Sequence, residues 1–265
     1  MDAYLAPGLD EALGFLEEWP GATPLAGGTD LMVDVNAGRV RPDRVLSLRR
    51  VPELQDWEDG RIGAGVTWRR LQDAGHSALA QAARTIGSPQ IRNAGTIGGN
   101  VGTASPAGDG LAFLAAADAL IELASANDGR RVPWDEFFVG VKETTRRPDE
   151  LITALVVPDD IPGRQAFGKV GIRSAMVISI VVCCVLRDND GATRVALGSV
   201  APTPMRARDA ERMISEERRP SAAALDEFAR LVAEEVRPIT DHRSTAGYRR
   251  HAAGVLARRL LERVL

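Results

Sequence analysis

The chain has 265 residues, of which 45% are apolar and 26% are charged, and its formal net charge is -3. This length allows one large domain or two modest ones, and the composition is that of an ordinary globular protein. This net charge gives no field that would favour nucleic acid, and no apolar run approaches the roughly 20 residues that span a bilayer. Because the N-terminus lacks a basic segment followed by an apolar stretch, we expect no signal peptide and a cytoplasmic location.

The N-terminal part alternates short helical and extended patterns. Apolar residues at helical spacing and runs of branched residues, bounded by Gly and Pro, predict these elements. Thr67 is placed to cap the helix that follows it. A glycine-rich loop is predicted over 93–110. The predicted helices are 9–19, 68–73, 78–86 and 111–117, and the predicted strands are 23–26, 43–48, 61–66, 119–124 and 151–157.

A cluster of turn residues at 158–163 predicts a domain boundary. Beyond it the pattern predicts a three-stranded antiparallel sheet followed by a helix bundle, which indicates an α+β domain. Pro204 suits the first turn of the first of these helices. We therefore predict domains at 1–160, with subdomains at about 1–57 and 58–160, and at 161–265. The predicted strands are 166–172, 177–186 and 193–200, and the helices are 204–216, 221–236 and 244–265.

The two cysteines, Cys183 and Cys184, are adjacent in a predicted strand, so their side chains point to opposite faces. An iron–sulfur cluster ligated by cysteine needs four thiolates, and a structural zinc site usually needs four Cys or His ligands. The three histidines, His76, His242 and His251, are scattered. We expect no metal site in this chain.

The segment 24–31, with the sequence PLAGGTDL, places consecutive small residues after a predicted strand. Such a turn exposes successive N–H groups and forms a concavity that binds anions, phosphate above all. Gly28 lets a phosphate approach the backbone closely, and Thr29 adds a hydroxyl donor. The alternative is a plain Gly-Gly turn that ends the strand.

A second segment, 94–110, is dense in glycine and in small polar side chains and contains the carboxylate Asp109. Loops of this length inside a compact domain are usually functional or disordered, and the apolar Ile97 and Val101 argue against disorder. Asp109 could accept hydrogen bonds from ribose hydroxyls or from a ring N–H. The alternative is a surface loop in which Asp109 caps the helix 111–117.

Neither segment is a Rossmann fingerprint or a phosphate-binding P-loop, because the spacing of both motifs is absent. The two segments therefore share one phosphate-bearing ligand, or each binds nothing. If they share a ligand, a side chain at Gly28 or Gly98 would occupy the place of the phosphate.

The segments AGGTDL (26–31) and TIGGN (96–100), with Ala104, Pro106 and Asp109 following, resemble the two FAD-binding signatures of the flavoprotein medium subunit of molybdenum hydroxylases. That family includes xanthine and carbon monoxide dehydrogenases. The resemblance implies a vanillyl-alcohol-oxidase-like FAD domain of two α/β subdomains, followed by a small C-terminal domain. In relatives, positions matching Ile152 and Lys169 lie near the isoalloxazine. The site residues that the resemblance implies are Leu25, Ala26, Gly27, Gly28, Thr29, Asp30, Leu31, Thr96, Ile97, Gly98, Gly99, Asn100, Ala104, Ser105, Asp109, Ile152 and Lys169.

The resemblance also implies partners. An iron–sulfur small subunit with [2Fe-2S] clusters passes electrons to FAD in this chain, and a molybdopterin large subunit hydroxylates the substrate, in a dimer of heterotrimers. A small-molecule or protein acceptor then reoxidises the flavin, and no catalytic acid or base is expected here. Many members carry an acidic residue after the position of Arg173, where this chain has SAMV. Two alternatives stay open: a self-sufficient FAD-dependent oxidase or reductase, and an interaction protein whose glycine segments are only structural.

Overall fold

The computed structural model of the chain describes residues 2–58, 60–73 and 77–265. The sequence-based expectations for Met1 and His76 fall outside these residues. Across the described ranges, none of the helices is long and apolar enough to cross a membrane.

The chain begins with a small parallel sheet. Its strands lie in the order β1-β3-β2, and both neighbouring pairs are parallel. The first helix packs on this sheet through the buried Leu13 and Leu16, as the periodicity predicted. The elements are β1 (Asp2–Leu5), α1 (Leu9–Glu18), β2 (Thr23–Leu25), α2 (Leu31–Asn36) and β3 (Arg44–Ser47), followed by a 3-10 helix (Pro52–Gln55).

A second, antiparallel sheet follows, with the order β4-β5-β10-β6-β7. In the part of the chain that the structure describes, five helices lie between β5 and β6, and a small hairpin precedes β10. These elements are β4 (Trp57–Glu58), β5 (Arg61–Gly63), α3 (Trp68–Leu71), α4 (Ser77–Thr85), α5 (Pro89–Ala94), α6 (Ile97–Thr103), α7 (Asp109–Ala116), β6 (Leu120–Ala124), β7 (Gly129–Pro133), α8 (Trp134–Phe137), β8 (Phe138–Gly140), β9 (Glu143–Thr144) and β10 (Leu151–Val156).

The predicted glycine-rich loop over 93–110 is wrong, because most of it is helical. Thr96 caps α6 by accepting a hydrogen bond from the Gly99 N–H at 3.0 Å. Ile97 and Val101 are fully buried, so packing of this face offsets the poor helix propensity of the glycines. The Thr67 cap on α3 was predicted correctly.

The C-terminal part holds an antiparallel sheet in the order β11-β12-β13-β14. The prediction of three strands is wrong, since the sheet has four strands within the described residues. Met205 and Arg206 pair with Leu197 and Ala196, so the segment after Pro204 is extended and the helix starts only at Arg208. The elements are β11 (Arg164–Val170), β12 (Val181–Arg187), β13 (Thr193–Gly198), β14 (Met205–Arg206), α9 (Arg208–Ser215), α10 (Ala222–Glu235) and α11 (Ala246–Glu262).

This sheet is covered on both faces. Cys183 packs in a core with α9, α10 and α11, whereas Cys184 packs in the larger core that α4 and α7 share with the N-terminal part. The prediction that the two cysteines face opposite sides is confirmed. Both thiols are buried and free, and burial raises their pKa values. Because α7 packs on one face of this sheet, the sheet fixes the position of α7 and of the segment before it.

Candidate functional site

The first glycine segment, residues 26–31, is a turn rich in unpaired donors between β2 and α2. Gly28 has a φ of 70°, in the left-handed region that favours glycine. Within the described part of the chain, none of the N–H groups of residues 26–31 has a hydrogen-bond acceptor; the first that has one is Met32, which donates to the Gly28 carbonyl at 3.1 Å. Adjacent unsatisfied N–H groups are the donor set that anion-binding turns use.

At the start of α6, in contrast to residues 26–31, the backbone N–H groups have acceptors within the protein. The Ile97 N–H donates to the Val66 carbonyl at 3.0 Å, and the Gly98 N–H donates to the Ala64 carbonyl at 2.9 Å. With the Gly99 N–H on the Thr96 cap, these three donors all serve the protein. The free N–H groups of the site therefore belong to the first segment.

The structure brings the two glycine segments together. A Cβ on Gly27 would overlap the Ala94 carbonyl, so the absence of a side chain lets the first turn touch the end of α5. The Thr103 hydroxyl, at the end of α6, donates to Asp30 Oδ2 at 2.9 Å. The 26–31 turn and α6 thus form two adjoining walls of one surface, which we call the cradle.

The outward face of α6 is poor in side chains. Gly99, Gly102 and Thr103 share this face at helical spacing, and both glycines are exposed, while Ile97 and Val101 point into the core. A Cβ on Gly102 would meet only Ile152 Cδ1, at 3.5 Å. Gly102 was not among the predicted site residues. Its spacing of three residues from Gly99 would have placed both glycines on one face of a helix.

Gly98 was predicted to leave room for a phosphate, and the structure shows a second constraint at this position. A Cβ there would lie 2.6 Å from the Ala64 carbonyl oxygen and 2.5 Å from Ala64 Cβ. The close approach of α6 to the end of β5 is therefore sufficient by itself to require a glycine at position 98. Gly99 differs, since the nearest atom to a Cβ there is Thr96 Oγ1 at 3.1 Å.

Ala104 and Ser105 form the turn after α6. Ala104 has a φ of 47° and ends the helix, and its carbonyl accepts the Lys142 N–H at 3.1 Å. Ser105 Oγ accepts the Ala107 N–H at 3.3 Å. The next carbonyl, that of Pro106, accepts the Ser199 N–H at 2.7 Å, so this turn also touches the C-terminal sheet.

Two further predicted residues lie beneath these segments. Ile152 is buried in β10 and contacts α6 below Gly102. The Asn100 side chain lies beside Gly108 and Gly110 at the start of α7, and its Oδ1 is buried without a hydrogen-bond partner among the described residues.

Asp109 and Lys169 form a buried ion pair between α7 and β11. Lys169 Nζ lies 2.6 Å from Asp109 Oδ2, and the Ser179 hydroxyl donates to Asp109 Oδ1. Asp109 does not cap α7 through its side chain. Burial raises the pKa of the Asp109 carboxyl, against the opposing influence of Lys169 and Ser179. Ser179 was not predicted as a site residue, because it lies in the apolar run 177–186. A single hydroxyl among apolar neighbours was the signal that could have identified it.

Beside Lys169 a cleft of about 480 Å³ opens towards the surface. Its lining comes from the end of α4, from the end of β11 and from the segment between β11 and β12, namely Thr85, Lys169, Val170, Gly171, Arg173, Ser174 and Val177. Arg173 is turned back on this segment and donates to the Met176 carbonyl. The departure from the family pattern at 174–177 thus lies on the wall of this cleft.

Two family models match the sequence. Residues 1–160 match the FAD binding domain in molybdopterin dehydrogenase, and residues 166–264 match the CO dehydrogenase flavoprotein C-terminal domain. The glyceraldehyde dehydrogenase medium chain of Sulfolobus acidocaldarius is 31% identical, over 98% of this chain and 96% of its own. The nicotinate dehydrogenase FAD-subunit of Eubacterium barkeri is 32% identical, over 78% of this chain and 76% of its own.

The fold is also found among solved structures. A chain of the carbon monoxide dehydrogenase from Hydrogenophaga pseudoflava matches with a TM-score of 0.90 and 28% identity, covering 100% of this chain and 96% of that one. The reconstituted CO dehydrogenase from Oligotropha carboxidovorans matches with a TM-score of 0.91 and 27% identity, covering 100% and 97%.

Proposed function

Because this chain belongs to the family of FAD-binding subunits of molybdopterin dehydrogenases, we propose that it passes electrons from [2Fe-2S] clusters of a partner chain, through its FAD, to an external acceptor. Its relatives are subunits of dehydrogenases, and the chain is accordingly the flavoprotein component of an oxidoreductase. When bound, FAD supplies one- and two-electron redox chemistry, while the protein supplies binding, orientation and electrostatics.

One observation carries the proposal: residues 26–31 offer a row of N–H groups without acceptors, directly beside the side-chain-poor face of α6. A dinucleotide pyrophosphate is doubly charged and needs several donors and no intruding side chains. The cradle fits that group. The proposed pyrophosphate residues are Leu25, Ala26, Gly27, Gly28, Thr29, Asp30, Leu31, Thr96, Ile97, Gly98, Gly99 and Asn100.

The rest of the proposed site runs from the end of α6 to the start of α7 and includes residues of β10 and β11. Ala104, Ser105 and Asp109 accompany the ribityl or ring portion, and Ile152 and Lys169 lie near the isoalloxazine. Supporting this order, Ile152 contacts α6 below Gly102, and Lys169 bonds Asp109 at the start of the next helix. The residues hold the cofactor and exclude water, and none of them has to act as a general acid or base.

We propose that substrate chemistry takes place in another chain. The molybdopterin large subunit hydroxylates the organic substrate, and an iron–sulfur small subunit relays the electrons, in a dimer of heterotrimers. Two cysteines in the whole sequence are too few for a cluster, which supports this division. We also propose the domain boundary at 160/161, subdomains at about 1–57 and 58–160, and a cytoplasmic location.

Two measurements test the function. The first is an FAD titration of the purified chain, for which we expect saturable binding at one site. The second mixes the flavin-loaded chain with a reduced iron–sulfur partner purified from the same host, and follows the bleaching of the visible flavin absorption as electrons arrive. We expect fast bleaching by the partner and no turnover of organic substrates by the isolated chain. Steady substrate turnover by the isolated chain would instead support a self-sufficient oxidase.

A further inference from the structure

A polar cluster of Ser179, Asp109 and Lys169 closes the site at the C-terminal domain. Ser179 is 1% exposed and Asp109 is 7% exposed. The two residues that contact the Asp109 carboxylate come from β11 and from the segment before β12, so α7 is held by two separate parts of the C-terminal domain.

The donors of this cluster can be counted. The Lys169 ammonium has three protons, and it has three acceptors: Asp109 Oδ2 at 2.6 Å, the Thr85 carbonyl at 3.0 Å and the Val177 carbonyl at 3.2 Å. Lys169 therefore has no proton left for a ligand. The Asp109 carboxylate accepts one hydrogen bond on each oxygen and keeps spare acceptor capacity.

This count separates the roles of the three residues. Of the two charged residues, only Asp109 keeps hydrogen-bonding capacity for a ligand, while Lys169 and Ser179 act on Asp109. Lys169 also offsets the negative charge, which could not stay buried alone. The Ser179 hydroxyl fixes the second oxygen, and with it the rotation of the carboxylate.

We propose that Ser179 is a positioning residue, which holds the Asp109 carboxylate in the one orientation that receives the flavin portion of FAD. This inference rests on the proposed function, because it needs FAD in the cradle. It assigns Ser179 to the site, and it assigns Lys169 a supporting role in place of direct contact.

The test uses the full-length chain and three substitutions at one position. Ser179→Ala removes the hydroxyl, Ser179→Cys supplies a weaker donor of similar size, and Ser179→Thr keeps a hydroxyl. The matched control is Ser199→Ala, since the Ser199 hydroxyl lies in the same domain, is buried and has no hydrogen-bond partner in the described ranges of the chain. For each protein the Kd for FAD, the visible absorption bands of the bound flavin and the urea midpoint are measured.

We expect Ser179→Ala to weaken FAD binding about tenfold and to shift the flavin bands, since the Asp109 carboxylate is then free to rotate out of the orientation that contacts the flavin portion. Ser179→Thr restores both properties, and Ser199→Ala changes neither. A purely structural role for Ser179 would lower the urea midpoint and leave the Kd and the bands of the folded protein unchanged, which would overturn the proposal.

If Ser179→Ala fails to fold, the pair Ser179→Thr and Ser179→Cys decides. A severalfold tighter Kd for the Thr variant supports the proposal, and equal Kd values overturn it. Failure of the wild-type chain to bind FAD would be a different result, because it would contradict the proposed function rather than the role of Ser179.

Discussion

Replacing Gly99 by leucine separates cofactor binding from folding. Gly99 lies on the exposed face of α6, and Thr96 Oγ1, at 3.1 Å, is the nearest atom of the described residues to a Cβ there, apart from the backbone of α6 itself. That cap has to shift by a few tenths of an ångström, while leucine gains about 0.7 kcal/mol in helix propensity over glycine. We therefore expect the free energy of unfolding of Gly99→Leu to stay within about 1 kcal/mol of the wild type.

FAD binding should respond strongly to the same change. The leucine side chain covers the face that adjoins the 26–31 turn, so the pyrophosphate cannot reach all of its donors. Losing two hydrogen bonds to a charged group, at about 1.5 kcal/mol each, costs about 3 kcal/mol. This corresponds to a Kd that rises on the order of a hundredfold.

The matched control is Gly14→Leu in α1. Gly14 is an exposed helical glycine with nothing within 4 Å of a Cβ, and it lies outside the cradle. The assay is a fluorescence titration with FAD, run beside urea unfolding of each protein. A Gly99→Leu chain that folds and binds FAD within threefold of the wild type would refute the assignment of this face.

Three further outcomes follow from the contacts. Gly98→Ala should lower the free energy of unfolding by about 2 kcal/mol in urea, because its Cβ meets Ala64 at 2.5 Å, whereas Gly99→Ala should not lower it. Lys169→Met should cost about 3 kcal/mol by leaving the Asp109 charge buried and unpaired, and adding Asp109→Asn should recover part of that loss. Burial opposes ionisation of Glu150, yet hydrogen bonds from Arg130 and Arg147 lower its pKa to about 2, from 4.5. The stability that Glu150 contributes is present above pH 4.5 and is lost as the pH falls towards 2, so the urea midpoints of the wild type and Glu150→Gln should differ at pH 6 and converge in acid.

The sequence predicted the elements whose local signals agree with their packing. The helix predicted at 221–236 is α10, because Leu225, Phe228 and Val232 recur at helical spacing and are buried, and the Thr67 cap correctly marks the start of α3. The sequence-based prediction was wrong for α6. This helix contains three glycines, which have low helix propensity, and tertiary packing stabilises it. The prediction also missed β14, since two residues carry no period and the strand exists only through pairing with Leu197 and Ala196.

The candidate site was predictable in part for a similar reason. The 26–31 turn stands out by composition, and the resemblance to the family linked it to 96–100. Nothing local indicated that the N–H groups of Ile97 and Gly98 donate to Val66 and Ala64. Ser179 reaches Asp109 across 70 positions of sequence, so only the packing of β12 against α7 reveals that contact.

The most direct measurement follows the backbone amide signals of residues 26–31 by NMR while FAD, ADP or riboflavin is added. FAD and ADP both carry a diphosphate, and riboflavin carries none. We expect the signals of Gly27, Gly28 and Thr29 to shift with FAD and with ADP and to stay in place with riboflavin. If FAD binds while these signals do not move, the pyrophosphate lies elsewhere and the cradle is not its site.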